Sequence, residues 1–164
     1  MEIIDLTHQN IEDIFWQAVC QGWGSGDVEK QQIPALPRYK TIPFGSGRFS
    51  VLDNYCTTPL NDKSAGFMTI WFEDIPVWTM SYGGRYPKRV IPFLKLALQS
   101  AIVRRDFVGC RGPFHFTHKD YPNLSYINNL SDHKRKFSNF SGQEIICENG
   151  LGVGYHDYWG MSLV

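Results

Sequence analysis

No run in this sequence approaches the ~18–20 apolar residues that a membrane-crossing helix needs. The opening Met-Glu-Ile-Ile-Asp-Leu is acidic where a secretory signal is basic. A soluble cytoplasmic protein is therefore expected. Cysteine is scarce: Cys20, Cys56, Cys110 and Cys147 are scattered, with no C-x-x-C pair. That spacing gives no metal or thioredoxin-like signature and predicts free, mostly buried thiols in a reducing compartment. There is no phosphate loop, no dinucleotide fingerprint and no G-x-S-x-G elbow. The Gly-rich stretches Gly22–Gly26 and Gly45–Gly47 lack the lysine and the strand–turn–helix setting that phosphate cradles use. The sequence thus calls for no cofactor and displays no assembled catalytic constellation. Net charge is also missing, with 16 Lys/Arg against 16 Asp/Glu, which removes the overall drive toward nucleic acid.

What is present suits one α+β domain spanning residues 1–164. Such a length buries roughly two-thirds of the unfolded surface, and 15% of the residues are aromatic, each a large apolar contribution when buried. The charge is unevenly placed: residues 85–136 hold eleven Lys/Arg against three Asp, and the remainder carries the opposite surplus. This basic segment either attracts nucleic acid or an anionic ligand, or its charges meet the acidic flanks or occupy solvated faces.

Ile11, Ile14, Phe15, Ala18 and Val19 recur on one helical face; Asn10 and Asp13 can cap the start and Gly22 and Gly24 the end. Residues 23–48 read as a long loop with a short extended piece near Tyr39–Ile42. Strands are predicted at Phe49–Tyr55, Met68–Phe72 and Val77–Tyr82, ended by Gly83-Gly84. A second helix over about 90–105 shows Leu94, Ala97, Leu98, Ala101 and Ile102 on one face, with Pro92 in its first turn. Residues 106–123 read as irregular. Strands recur at Leu124–Asn129, Glu144–Cys147 and Gly152–Tyr158, the last two joined by Asn149-Gly150, a strong hairpin signal.

The order suggests a duplicated unit of a helix and three antiparallel strands, related by a pseudo-twofold, with repeats at about 8–84 and 88–164. Gly66 to Tyr82 and Gly142 to Tyr158 are both sixteen positions apart. Ile70 matches Ile146, Val77 matches Val153, and Val51–Tyr55 matches Tyr126–Leu130. Identity between the repeats is low, and one departure bears on function: where the second reads Phe140, Gly142 and Glu144, the first reads Ser64, Gly66 and Met68, without the Phe or the Glu. A groove between two such units is a common ligand site.

Several of these residues together resemble a bacterial domain family of unknown function, found alone or behind an Xre-type helix-turn-helix. They are Ala18 and Gly22-Trp23, Asp53 and Tyr55, Pro76–Gly83, Arg111-Gly112-Pro113, Tyr126 and Asn128, Phe140–Ile146, and Tyr158 with Gly160. The F-x-G-x-E motif at Phe140–Glu144 is the most specific piece. The resemblance implies an effector-sensing role and assigns no reaction.

Glu144 opens an apolar strand and is expected to point inward, with Arg111 as its donor, either as the polar floor of a groove or as a structural bond. Trp78 and Tyr82 alternate onto one strand face with Met80, and line either a pocket or the core. A non-enzymatic small-molecule module would use Trp78, Tyr82, Tyr126, Glu144 and Tyr158 as its lining and Arg111 and Asn128 as polar contacts. The alternatives are a hydrolase-like enzyme using Glu144 with His156, and a protein-interaction module using segment 85–136. His156 and Asp157 cannot both face one site, since neighbours on a strand point to opposite faces. His115 and His118 near Cys110 have a metal-like spacing but no second motif, so no metal is assigned. Direct DNA or membrane binding is not expected.

Overall fold

The structure is a computed structural model that describes residues 6–22, 28–105, 107–109 and 111–164, with backbone only at 132–135. Trp23, Gly24 and Cys110 lie outside the described residues. It is an α+β fold: one antiparallel eight-stranded sheet and two α-helices. In chain order the elements are α1 (His8–Gln21), β1 (Lys40–Ser46), β2 (Phe49–Thr57), β3 (Lys63–Phe72) and β4 (Ile75–Arg85). A 3-10 turn at Lys88–Val90 leads into α2 (Ile91–Arg104), followed by β5 (His115–Thr117), β6 (Leu124–Lys136), β7 (Asn139–Glu148) and β8 (Leu151–Ser162). The strand order is β1-β2-β3-β4-β8-β7-β6-β5. Each helix therefore precedes a four-strand meander, and the meanders join through β4 and β8.

Each half has four strands where three were expected. The additional ones are the outermost, β1 and β5. β1 contains Pro43 and Gly45, which an edge strand tolerates because one of its sides needs no ladder donors. β5 is only three residues long. Nor do Gly83 and Gly84 end a strand, since β4 runs through both to Arg85 and pairs along β8. The cap of α1 also differs: Thr7 is the N-cap, its hydroxyl accepting from the Asn10 amide at 3.3 Å, so the helix starts before Asn10. Gly22 closes it as expected, donating to the Ala18 carbonyl at 2.9 Å. Asn149 and Gly150 both have positive φ (51° and 80°), the backbone of a two-residue type I′ hairpin.

Both helices cover the same face of the sheet. Under α1, Phe15 packs on Trp78 and Phe137, with Met68, Met80, Phe140 and Tyr158 buried in the same cluster. Under α2, Phe93, Leu94, Ala97 and Leu98 pack with Leu124, Tyr126 and Ile146. Each fully buried side chain of this size contributes roughly 2–3 kcal/mol relative to exposure. The other face is more open, with Trp159 and Met161 exposed on β8. Cys20 is exposed and Cys56 and Cys147 are half-buried, all three as free thiols, so burial does not protect them as expected.

Candidate functional site

Sheet register brings together residues that are remote in sequence. Ser64 on β3 lies opposite Gly84 on β4, Gly84 opposite His156 on β8, His156 opposite Glu144 on β7, and Glu144 opposite Asn128 on β6. These five form one row across the helix-covered face. At Gly84 an added Cβ would lie 2.1 Å from the Tyr155 carbonyl oxygen, so only glycine allows strands β4 and β8 to approach this closely. Across that gap Ser64 Oγ reaches Nε2 of His156 at 2.9 Å.

Glu144 is fully buried. Its Oε1 accepts from Arg111 Nη2, and its Oε2 accepts from the Tyr126 hydroxyl at 2.8 Å. Arg111 Nη2 also lies 3.0 Å from His156 Nδ1, and the guanidinium sits over the Tyr82 ring, 4.6 Å from its centroid. Burial pushes the Glu144 carboxyl up, but the Arg111 charge beside it outweighs burial and holds the carboxyl at about 2. Burial, aided by the Arg111 charge, lowers the pKa of His156, which keeps the ring neutral at neutral pH. The Tyr86 ring lies against the imidazole, 4.6 Å between centroids.

Above this polar row is a pocket of about 350 Å3, within the size range of small-molecule sites. Ile91, Leu94 and Leu98 of α2 form one wall, and Ile42, Tyr55, Tyr82 and Tyr86 form the other. Ser64 and His156 reach it from the row, Arg111 reaches it from the segment before β5, and Lys30 and Lys95 also line it. Both halves of the chain contribute. A second, more polar cleft of about 580 Å3 adjoins it and shares Thr57, Ser64, Tyr86 and Ile91.

A family model described as Domain of unknown function (DUF5680) matches residues 61–163. The chain belongs to that family. Ser64, Arg111, Glu144 and His156 all fall within the stretch that DUF5680 covers. No curated protein and no solved structure matches the chain.

Of the residues singled out in the sequence, Tyr82 and Arg111 line the pocket, while Glu144 and Tyr126 lie beneath it, bonded to each other. Trp78 is elsewhere, fully buried under α1, its indole N–H donating to the Phe137 carbonyl at 2.9 Å. Tyr158 and Asn128 are bonded to each other, and Asn128 Nδ2 donates to the Gly109 carbonyl at 3.1 Å. This pairing has a counterpart, since the Tyr82 hydroxyl donates to Asp53 Oδ1 at 3.0 Å. In both cases the tyrosine passes over a glycine, Gly66 or Gly142, where a Cβ would come within 2.5 Å of it. The sixteen-residue spacing thus reflects a tyrosine ring that needs a bare backbone opposite it.

Asp157, as expected from alternation, faces away from His156 and accepts from Gln143 Nε2 at 2.7 Å. His118 Nδ1 accepts from the Asp120 amide, and no group of three metal-ligating side chains occurs among the described residues. Among the described residues, no helix is long and apolar enough to cross a membrane.

Sequence reasoning missed Ser64, Tyr86 and the wall supplied by α2. One signal for Ser64 was available. It stands 76 positions before Phe140, the same offset that separates Gly66 from Gly142 and Tyr82 from Tyr158. Phe140 is buried and stacked on Trp78, ring centroids 5.6 Å apart. At the same offset, Met68 and Met80 in the α1 cluster stand where Glu144 and His156 stand in the row. One position set is filled with apolar bulk; the other is polar and borders a pocket.

Proposed function

We propose that this chain is a non-enzymatic binding module that holds a small, largely apolar effector in the pocket between α2 and the sheet. The observation that carries this reading is the pocket of about 350 Å3, with aliphatic and tyrosine walls over a short row of fixed polar groups. Such a composition, mostly apolar with a few placed donors, is what small-molecule sites have in common. Tyr82 and Arg111 contact the effector, while Glu144 and Tyr126 hold Arg111 in position. The free thiols suit a reducing compartment, which fits a cytoplasmic module. We also read the two helix-plus-four-strand halves as copies of one unit. The matched Tyr–Gly–Asx bonds support that reading, as does the constant offset of the Ser64 and Phe140 positions. On it, the binding function belongs to one side of a pseudo-twofold, where an aromatic filling is missing.

The test is titration with N-phenyl-1-naphthylamine, an uncharged fluorescent apolar probe, under native conditions. One saturable site is expected, removed in Ile91→Trp, whose indole occupies the pocket. Absence of any saturable binding to the folded protein would sink the reading.

A hydrolytic reading has one observation in its favour: His156 Nδ1 lies 3.4 Å from Glu144 Oε1, with a serine at the other ring nitrogen. A docking role for segment 85–136 has another, since Val103 and Phe114 are exposed within it and Val103 adjoins Arg104 and Arg105. Neither explains the pocket.

A further inference from the structure

The polar row has a direction, and the direction is set by Arg111. A guanidinium is charged at all accessible pH values and can only donate. Its Nη2 lies 3.0 Å from His156 Nδ1, nearer than the 3.4 Å that separates Nδ1 from Glu144 Oε1, and it donates to that same Glu144 oxygen. A neutral imidazole offers one N–H and one lone pair. With Nδ1 accepting from Arg111, the ring proton sits on Nε2, 2.9 Å from Ser64 Oγ. The serine oxygen accepts that proton, so its own hydrogen points away from the histidine. A nucleophilic serine needs the reverse order, with its hydrogen directed at an empty Nε2.

Ser64 also sits at a boundary. It lines the apolar pocket and, on its other side, the adjoining cleft, where Arg38, Lys63 and Lys88 outnumber Asp62. Among the described residues none that lines the apolar pocket is acidic, and Lys30 and Lys95 are among them. A hydroxyl hydrogen, presented between an apolar chamber and a cationic one, calls for an acceptor that carries negative charge.

We propose that the pocket takes an amphipathic carboxylate, its hydrocarbon or aromatic body between α2 and the sheet and its carboxylate accepting from the Ser64 hydroxyl at the cationic boundary. His156 is then a positioning residue that fixes Ser64 as a donor, and Arg111 fixes His156. This inference rests on the binding reading above and names the ligand class for the same pocket.

Two measurements test it. In protein with 15N-labelled histidine, assigned by its loss in His156→Gln, the His156 resonances should show the proton on Nε2 and a bare Nδ1. A proton on Nδ1 would overturn the argument. Binding of octanoate, octanol and octylamine is then compared by calorimetry in the wild-type chain. Octanoate is expected to bind at least about tenfold more tightly than octanol, the scale of one hydrogen bond to a charged group. Octylamine should bind most weakly. Ser64→Ala should remove most of the octanoate advantage and leave octanol affinity unchanged. Equal affinity for octanoate and octanol would refute the carboxylate assignment while leaving the pocket intact. If none of the three binds but the fluorescent probe does, the carboxylate fails alone; if the probe also fails, both readings fall. Acylation of Ser64 by p-nitrophenyl octanoate, seen as a mass increase on that residue, would show the opposite proton order and refute the donor role.

Discussion

Removing the charge of Glu144 should make stability less sensitive to acid. In Glu144→Gln the Arg111 guanidinium stays inside without its counter-charge, which typically costs 3–5 kcal/mol at neutral pH. The wild-type chain loses that advantage as pH falls. The Glu144 carboxyl is held at about 2 in the fold against an ordinary 4.5, so the folded form binds its proton later than the unfolded chain. The stability it supplies is complete above 4.5 and drains away as pH falls through 4.5 toward 2. The full difference corresponds to about 3 kcal/mol, of which about 2 kcal/mol is gone by pH 3. Lowering of the His156 pKa acts in the same direction but begins earlier, below its ordinary value of 6.5, because the unfolded chain takes up a proton that the buried ring refuses. Urea unfolding at steps from pH 8 to pH 3, in wild type and Glu144→Gln, measures both. The gap between the two should narrow by about 2 kcal/mol between pH 6 and pH 3. A gap that stays constant over that range would show that the carboxylate is not the source of its neutral-pH stability, and the geometry argued for Arg111 would fail with it.

Gly84→Ala should cost about 3 kcal/mol or more, because its Cβ meets the Tyr155 carbonyl at 2.1 Å; a thermal melt within two degrees of wild type would contradict the close approach. Tyr158→Phe should lower stability by about 1–2 kcal/mol through its bond to Asn128. It should also leave probe affinity within twofold, since neither residue lines the pocket; a large affinity loss by fluorescence titration would show otherwise. Ser64→Phe, which installs the residue found 76 positions later, should abolish probe binding without unfolding the chain, as judged by titration and circular dichroism. Full probe affinity in that variant would mean that the pocket lies elsewhere.

Both helices were legible because their apolar residues repeat at helical spacing, and α1 and α2 bury the predicted faces. Strand centres were legible from alternation, but strand ends were not. Lys63-Ser64 and Gly83-Gly84 belong to strands although nothing apolar marks them, because the neighbouring ladder supplies the pairing that local propensity withholds. The Glu144–Arg111 pair was foreseeable from an acidic residue opening an apolar strand. The Ser64–His156 bond was not, because the partners are 92 residues apart and register alone aligns them; the repeat offset marks Ser64 only as a departure from Phe140. Trp78 was misplaced for a related reason. Alternation assigned it a face, but which helix covers which part of that face depends on the crossover through β4 and β8.

The seam between the halves is itself a ladder of eight residue pairs, from Trp78 opposite Ser162 to Arg85 opposite Tyr155. A domain interface of loosely packed surfaces can swing; a continuous hydrogen-bonded sheet resists that motion. The two halves therefore behave as one plate, and the row from Ser64 to Asn128 keeps its spacing whether or not the pocket is filled. Any opening that admits a molecule has to occur on the helix side, by displacement of α2, whose Ile91, Leu94 and Leu98 form the wall opposite the sheet. Amide exchange would register this as faster opening in α2 than in β4 and β8, with a bound molecule slowing the first and leaving the second unchanged.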